Sequence, residues 1–178
     1  MAVYIVLFRG VGGATQLPVA RLREVLTSAG FEKVATYINS GNAIVKSRLG
    51  AGKVVASIAD VCRDHFGFTK DIYALTANQW SSIIKNNPFP DAVSPGNLLH
   101  AAVLAKAPAR AAVAKLEALA TGGDRFAVVG RTAYLHTPNG FSKSKLSEKF
   151  DKVIGVPNTA RNWNTVLKLR DLAAHAGD

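Results

Sequence analysis

Ten residues, TANQWSSIIK at 76–85, return at 159–168 as TARNWNTVLK. Thr, Ala, Trp and Lys coincide, and Gln79/Asn162, Ser82/Thr165, Ile83/Val166 and Ile84/Leu167 are close substitutions. Both tryptophans of the chain fall at the same place in this pattern. A segment that comes back at an offset of 83 in a chain of 178 residues points to a fold built from two similar halves.

The hydrophobic pattern on either side agrees. VYIVLF at 3–8 is β-branched and aromatic, as a buried strand requires. After the glycine-rich RGVGGATQ, Pro18 suits a first helical turn, and Val19, Leu22, Val25, Leu26 and Ala29 keep helical spacing up to Gly30. KVATYIN and NAIVKS flank Ser40-Gly41 as a hairpin. Val54, Val55, Ile58, Val61, Cys62 and Phe66 mark a second helix, and KDIYAL a further strand. The order β-α-β-β-α-β is the split βαβ unit of ferredoxin-like folds. Beyond NNPFPDAVSPG the pattern restarts: LLHAAVLA as a strand, an alanine-rich helix over 108–120, a hairpin turning near Gly130, and a helix through SKSKLSEKFDKVIG with Leu146, Phe150 and Val153 inward and Ser142 as its N-cap. The expected fold is therefore α+β, two ferredoxin-like (split βαβ) halves from an apparent internal duplication, spanning 1–90 and 91–178. Each half should end in a helix, capped by Thr76 in the first and by Thr159 or Asn162 in the second, with Trp80 and Trp163 packing on the first turn.

Composition narrows the function classes. No apolar run is long enough to span a bilayer, and MAVYIVLFRG lacks the basic start of a signal peptide. A single cysteine makes no internal disulfide, which suits a reducing cytoplasm. Lys+Arg total 22 against 12 Asp+Glu, a net charge of +10 that favours anionic partners.

The basic residues cluster toward the C-terminus. Lys145, Lys149 and Lys152 recur at i, i+4, i+7, followed by Arg161, Asn162, Asn164, Lys168 and Arg170. A guanidinium among amides at a helix N-terminus suits bidentate capture of phosphate or carboxylate, while a solvated basic face explains the lysines equally well. Arg9, Gly12 and Gly13, between a strand and a helix, have the composition of an anion-cradling loop or of a plain tight turn; they match neither the Walker nor the dinucleotide fingerprint. Catalytic groups are sparse. Cys62 lies on an apolar helix face, and His65, His100, His136 and His175 have no metal-ligand spacing, although His100 and His136 stand on strands that a sheet can bring together. No cofactor or metal is expected. The leading expectation is a protein that binds an anionic small ligand at a basic C-terminal site through Arg161, Asn162, Asn164 and Lys145, with Arg9, Gly12 and Gly13 as a second locus. The alternatives are a nucleic-acid-binding protein, or an enzyme whose site forms between the halves. Whether the chain is an enzyme stays open at this point.

YIVLFRG with its following glycines, TYINSGN, FSKSKL and TARNWNTVLKL, in this order and spacing, resemble the bacterial family known as domain of unknown function 1697. The resemblance extends over nearly the whole chain. It implies a cytoplasmic protein of two ferredoxin-like halves and no established activity. Members usually read Arg-Gly-Ile-Asn-Val-Gly-Gly after the first strand; the loop here, RGVGG, is shorter and lacks the Asn.

Overall fold

The apolar run at the N-terminus forms β1 (Ala2–Phe8), the start of the element order β1, α1 (Val19–Ser28), β2 (Glu32–Thr36), β3 (Asn42–Ser47), α2 (Ala51–Phe66), β4 (Ile72–Thr76) and α3 (Ala77–Lys85). The second series is β5 (Leu99–Leu104), α4 (Arg110–Leu119), β6 (Arg125–Val129), β7 (Thr132–His136), α5 (Lys145–Ile154), β8 (Asn158–Asn162) and α6 (Trp163–Gly177). This computed structural model describes every residue except 13, 14, 40 and 69.

The architecture is mixed α+β with two four-stranded antiparallel sheets, ordered β2-β3-β1-β4 and β6-β7-β5-β8. Pairing runs in matched register within each sheet. Tyr4 pairs with Thr76 and Phe8 with Ile72 in the first; His100 pairs with Asn162 and Leu104 with Asn158 in the second. Leu7 pairs with Asn42, and Val103 with Thr132. One face of each sheet is sealed by its helices. Tyr4, Val6, Phe8, Ala43 and Val45 pack with Leu22, Leu26, Val54, Ile58 and Cys62. Ala102, Leu104, Ala133 and Leu135 pack with Leu116, Leu146, Phe150 and Ile154. Each fully buried aliphatic side chain contributes roughly 1.5–3 kcal/mol. Strand alternation turns Ile5, Leu7 and Ile44, and Leu99, Ala101 and Tyr134, to the opposite faces, where they too are buried.

The chain divides into two compact units, Met1–Ser82 with Lys168–Asp178, and Ile83–Leu167. This differs from a division at residue 90, because the last eleven residues of the chain, 168–178, group with the first unit.

Three local expectations change. Residues 158–162 form a strand, so Thr159 sits inside β8 and caps nothing. Of the two expected caps it is Asn162 that serves α6: its Oδ1 accepts from the Thr165 N–H at 3.0 Å. Thr76 caps α3, accepting from the Gln79 N–H at 3.2 Å while Gln79 Oε1 accepts from the Thr76 N–H at 2.9 Å. The second cap thus lies 86 residues after the first, whereas the sequence echo has an offset of 83. Both tryptophans are buried helix residues, but Trp80 is fourth in α3 and Trp163 first in α6. By register, Val166 is the counterpart of Trp80. Ser144, not Ser142, caps α5, accepting from the Ser147 N–H at 3.2 Å; Ser142 lies in a short 3-10 turn, Phe141–Lys143. The expected hairpin turn at Ser40 falls on a residue outside the described set, while Gly41 beside it has φ +73° and its carbonyl accepts from the Phe8 N–H.

Candidate functional site

Arg161 is the fourth residue of β8, the strand at one edge of the second sheet. Its neighbour Ala160 packs among the helix-side apolar residues, so alternation directs Arg161 to the other face. Ala101 lies opposite it in the ladder. In the first sheet the matching pair is Ile5 with Leu75. The second unit thus replaces an Ile–Leu pair by Ala–Arg, and the smaller alanine leaves volume for the longer side chain.

Arg161 Nη1 donates to Thr159 Oγ1 and to the Ala160 carbonyl, each at 2.7 Å. Burial pushes the guanidinium pKa down to about 10, so it remains charged at neutral pH. The charge lies two residues before the fifteen-residue helix α6, whose N-terminus carries the positive end of the backbone dipole. Two positive potentials are therefore adjacent at a half-buried position, which favours an anion between them.

The two asparagines next to Arg161 have structural duties. Asn162 caps α6. Asn164 abuts Gly96: a Cβ on that glycine would stand 2.4 Å from Asn164 Oδ1 and 3.1 Å from its backbone nitrogen. The Gly96 carbonyl accepts from the Trp163 N–H at 2.9 Å, so the loop before β5 clamps the start of α6. Lys145 is not gathered with Arg161. It is exposed at the first turn of α5, on the helix-covered side of the sheet, and lines a depression of about 220 Å³ with Lys143, Asn139 and Gly140. Asp124 lies in the same depression and accepts from Ser144 Oγ at 2.6 Å, so part of its positive charge is neutralised internally.

Arg9 and Gly12 belong to the first unit; Gly13 lies outside the described residues. The Arg9 N–H donates to the Asp71 carbonyl at 3.0 Å. Gly12 forms a bridge with Thr15, whose N–H and hydroxyl both donate to the Gly12 carbonyl at 3.0 Å. The Arg9 and Thr15 N–H groups are thus taken up by protein carbonyls. A residue absent from the sequence-level expectation stands over it: Lys70 Nζ is 3.7 Å from where a Cβ on Gly10 would lie. Its approach follows from the pairing of Phe8 with Ile72, which carries residues 10 and 70 side by side beyond the strand ends.

The histidines do not combine. His136 faces Leu99 in the ladder, so alternation sends His100 to the opposite face of the sheet. His100 stacks on Phe141 with ring centroids 4.1 Å apart, and its buried Nδ1 has no hydrogen-bond partner among the described residues. Burial lowers its pKa to about 4. His136 Nδ1 instead accepts from Arg125 Nε at 3.2 Å. Arg125 also grips the Asp91 carboxylate through both terminal nitrogens, at 3.1 and 2.8 Å, a clamp the sequence did not advertise because its partners lie 34 residues apart. Cys62 is buried, and desolvation pushes its thiol up to about 11, a poor nucleophile. Among the described residues no group of three or more His, Cys, Asp or Glu is placed to hold a metal ion, and no helix is long and apolar enough to cross a membrane.

Residues 1–134 match the model of the family described as protein of unknown function (DUF1697). The chain belongs to this family. The matched span ends before Lys145 and Arg161, so the match covers part of the chain over which the sequence resemblance extends. No curated protein matches the sequence. Among solved structures, the conserved bacterial protein SP0830 from Streptococcus pneumoniae is similar, with a TM-score of 0.73 and 22% identity over 97% of this chain and 98% of that one. At that identity the likeness establishes the fold alone.

Proposed function

We propose that this protein binds an anionic small ligand at Arg161, with the amide ends of Asn162 and Asn164 completing the contacts. The observation that carries the reading is the half-buried cation at a strand position where the first sheet has Leu75. The first sheet fills the matched position with a leucine, so the ladder itself does not require a charge there, and a cation beside a helix N-terminus favours a bound anion. The matched strand orders and pairing registers support a further inference, that the two units are ferredoxin-like copies of one ancestral unit, in which substitutions such as Leu75 to Arg161 mark acquired function.

A small ligand fits better than a nucleic acid. Base stacking needs an open sheet with exposed aromatics, and Ile5, Leu7, Leu99, Ala101 and Tyr134, on the faces turned away from the helices named above, are all buried.

The test is melting in the presence of inorganic phosphate, sulfate and a panel of phosphorylated and carboxylated metabolites, on wild type and Arg161→Met. Wild type should be stabilised by at least one anion; the variant should melt near the ligand-free wild type and lose that response. A structural role gives the reverse pattern: a variant destabilised by roughly 3–5 kcal/mol with the anion response intact would overturn the reading. Lys145→Ala and Arg9→Ala serve as controls that remove a cation elsewhere.

A further inference from the structure

The outer strands β2 and β6 occupy the same place in their sheets, and they are finished differently. Pairing of β2 with β3 slips between Glu32 and Ala35, and Lys33 lies at φ +50°. A bulge and charged residues are the usual means of blunting a sheet edge against further pairing. β6, reading RFAVV, pairs with β7 residue for residue without a break. Among the described residues no strand of its sheet lies on its other side. Val129 is 39% exposed, unusual for an unprotected apolar edge.

Beside this edge runs a groove of about 290 Å³, with Pro108, Val113 and Ala114 on one wall and Val128 and Gly130 on the other. It exists because α4 is alanine-rich and buries only Leu116 fully, leaving a shallow channel between helix and strand. The charges around it are unequally spread. Near Gly130, Lys106, Arg110 and Arg131 are all exposed, and Arg131 Nη1 donates to the Ala105 carbonyl at 3.3 Å. At the other end Arg125 is bridged to Asp91. Glu117 is the acidic residue lining the channel.

We infer that β6 is a docking edge for an extended segment of a partner protein, apolar at alternate positions and acidic at the end that meets Lys106, Arg110 and Arg131. Backbone pairing to β6 supplies affinity, the channel accepts every second side chain, and the basic end sets direction. A second copy of this chain is the poorer occupant, since antiparallel β6 pairing brings a protein of net charge +10 against itself.

The probe is a short capped, fluorescein-labelled peptide alternating threonine and valine and ending in two glutamates. Its controls end in two lysines or carry a central proline. The glutamate peptide should bind and protect β6 amides from hydrogen exchange, and the proline peptide should not. The lysine peptide should bind at least about tenfold more weakly, a difference of about 1.4 kcal/mol. Arg110→Glu combined with Arg131→Glu, both at exposed positions, should reverse that preference while leaving the circular dichroism unchanged. Equal binding of all three peptides, protection confined to other strands, or concentration-dependent dimerisation that the glutamate peptide does not disrupt would overturn the inference.

Discussion

The two units share strand order and ladder register, and they differ in what fills matched positions. Where the first has Tyr4, Leu75 and Ile72, the second has His100, Arg161 and Asn158. Tyr4 sends its hydroxyl to the Leu49 carbonyl at 2.8 Å. Asn158 is buried and donates to Asp151 Oδ1 at 2.9 Å. The first unit thus shows which side chains the frame needs, and the second carries polar and ionisable groups beyond that need. A frame stabilised by burial tolerates a few such groups because each costs only a few kcal/mol against the whole core. The polar excess of the second unit is therefore where function is sought.

The largest expected effect breaks the comparison at its hairpins. The Phe8 N–H donates to the Gly41 carbonyl and the Leu104 N–H to that of Arg131, both at 2.9 Å, so Gly41 and Arg131 are counterparts. Gly41 has φ +73°, and a Cβ there would lie 2.7 Å from Phe8 Cβ. In the second hairpin the tight turn places positive φ at Gly130 instead. Gly41→Ala should destabilise the protein by roughly 2–4 kcal/mol through backbone strain and overpacking, read from chemical denaturation. Arg131→Ala should fall within about 0.5 kcal/mol of wild type. Equal costs would show that the register match does not carry the energetics.

A second effect separates the units by pH. His100 has a folded pKa near 4 against 6.5 when free, so the unfolded chain takes up the proton first as pH falls. Stability from the neutral imidazole is complete above about pH 6.5 and is lost between there and pH 4. The loss should be about 2–3 kcal/mol. His136, also lowered, chiefly by burial, acts in the same direction. Replacing His100 by Gln should remove its share of the slope between pH 7 and pH 4 in parallel denaturation series. The group has no such role if the two series coincide.

Much of this frame was legible in the sequence because burial imposes periodicity. Leu22, Val25 and Leu26 in α1, and Leu146 and Phe150 in α5, are buried where helical spacing put them. The strand β8 was not legible. Its residues NTARN show no apolar alternation, and their strand conformation comes from pairing with β5. That omission left the α6 cap open between Thr159 and Asn162 and set Trp163 level with Trp80. Arg161 stood out in the sequence beside a tryptophan and amides, but its place in a ladder opposite Ala101 depends on tertiary pairing. Lys70 above Gly10 and the Asp91–Arg125 clamp had no signal in composition or spacing, since each joins distant segments through sheet register.

The smallest effect concerns which echo of the repeat is physical. The sequence echo equates Thr76 with Thr159; the ladder equates Thr76 with Asn162. A cap side chain satisfies a helix N–H that otherwise lacks a partner, and its removal costs about 1 kcal/mol. Thr76→Ala and Asn162→Ala should each show that loss in denaturant midpoint with unchanged slope. Thr159→Ala removes no cap. Its hydroxyl instead accepts from Arg161, so the variant should leave a guanidinium hydrogen bond unmet without fraying α6. Hydrogen exchange at Thr165 distinguishes the cases, because its N–H is held by Asn162 Oδ1. It should exchange faster in Asn162→Ala and at the wild-type rate in Thr159→Ala. Faster exchange in Thr159→Ala would restore the offset of the sequence echo and displace the register as the guide to equivalent positions.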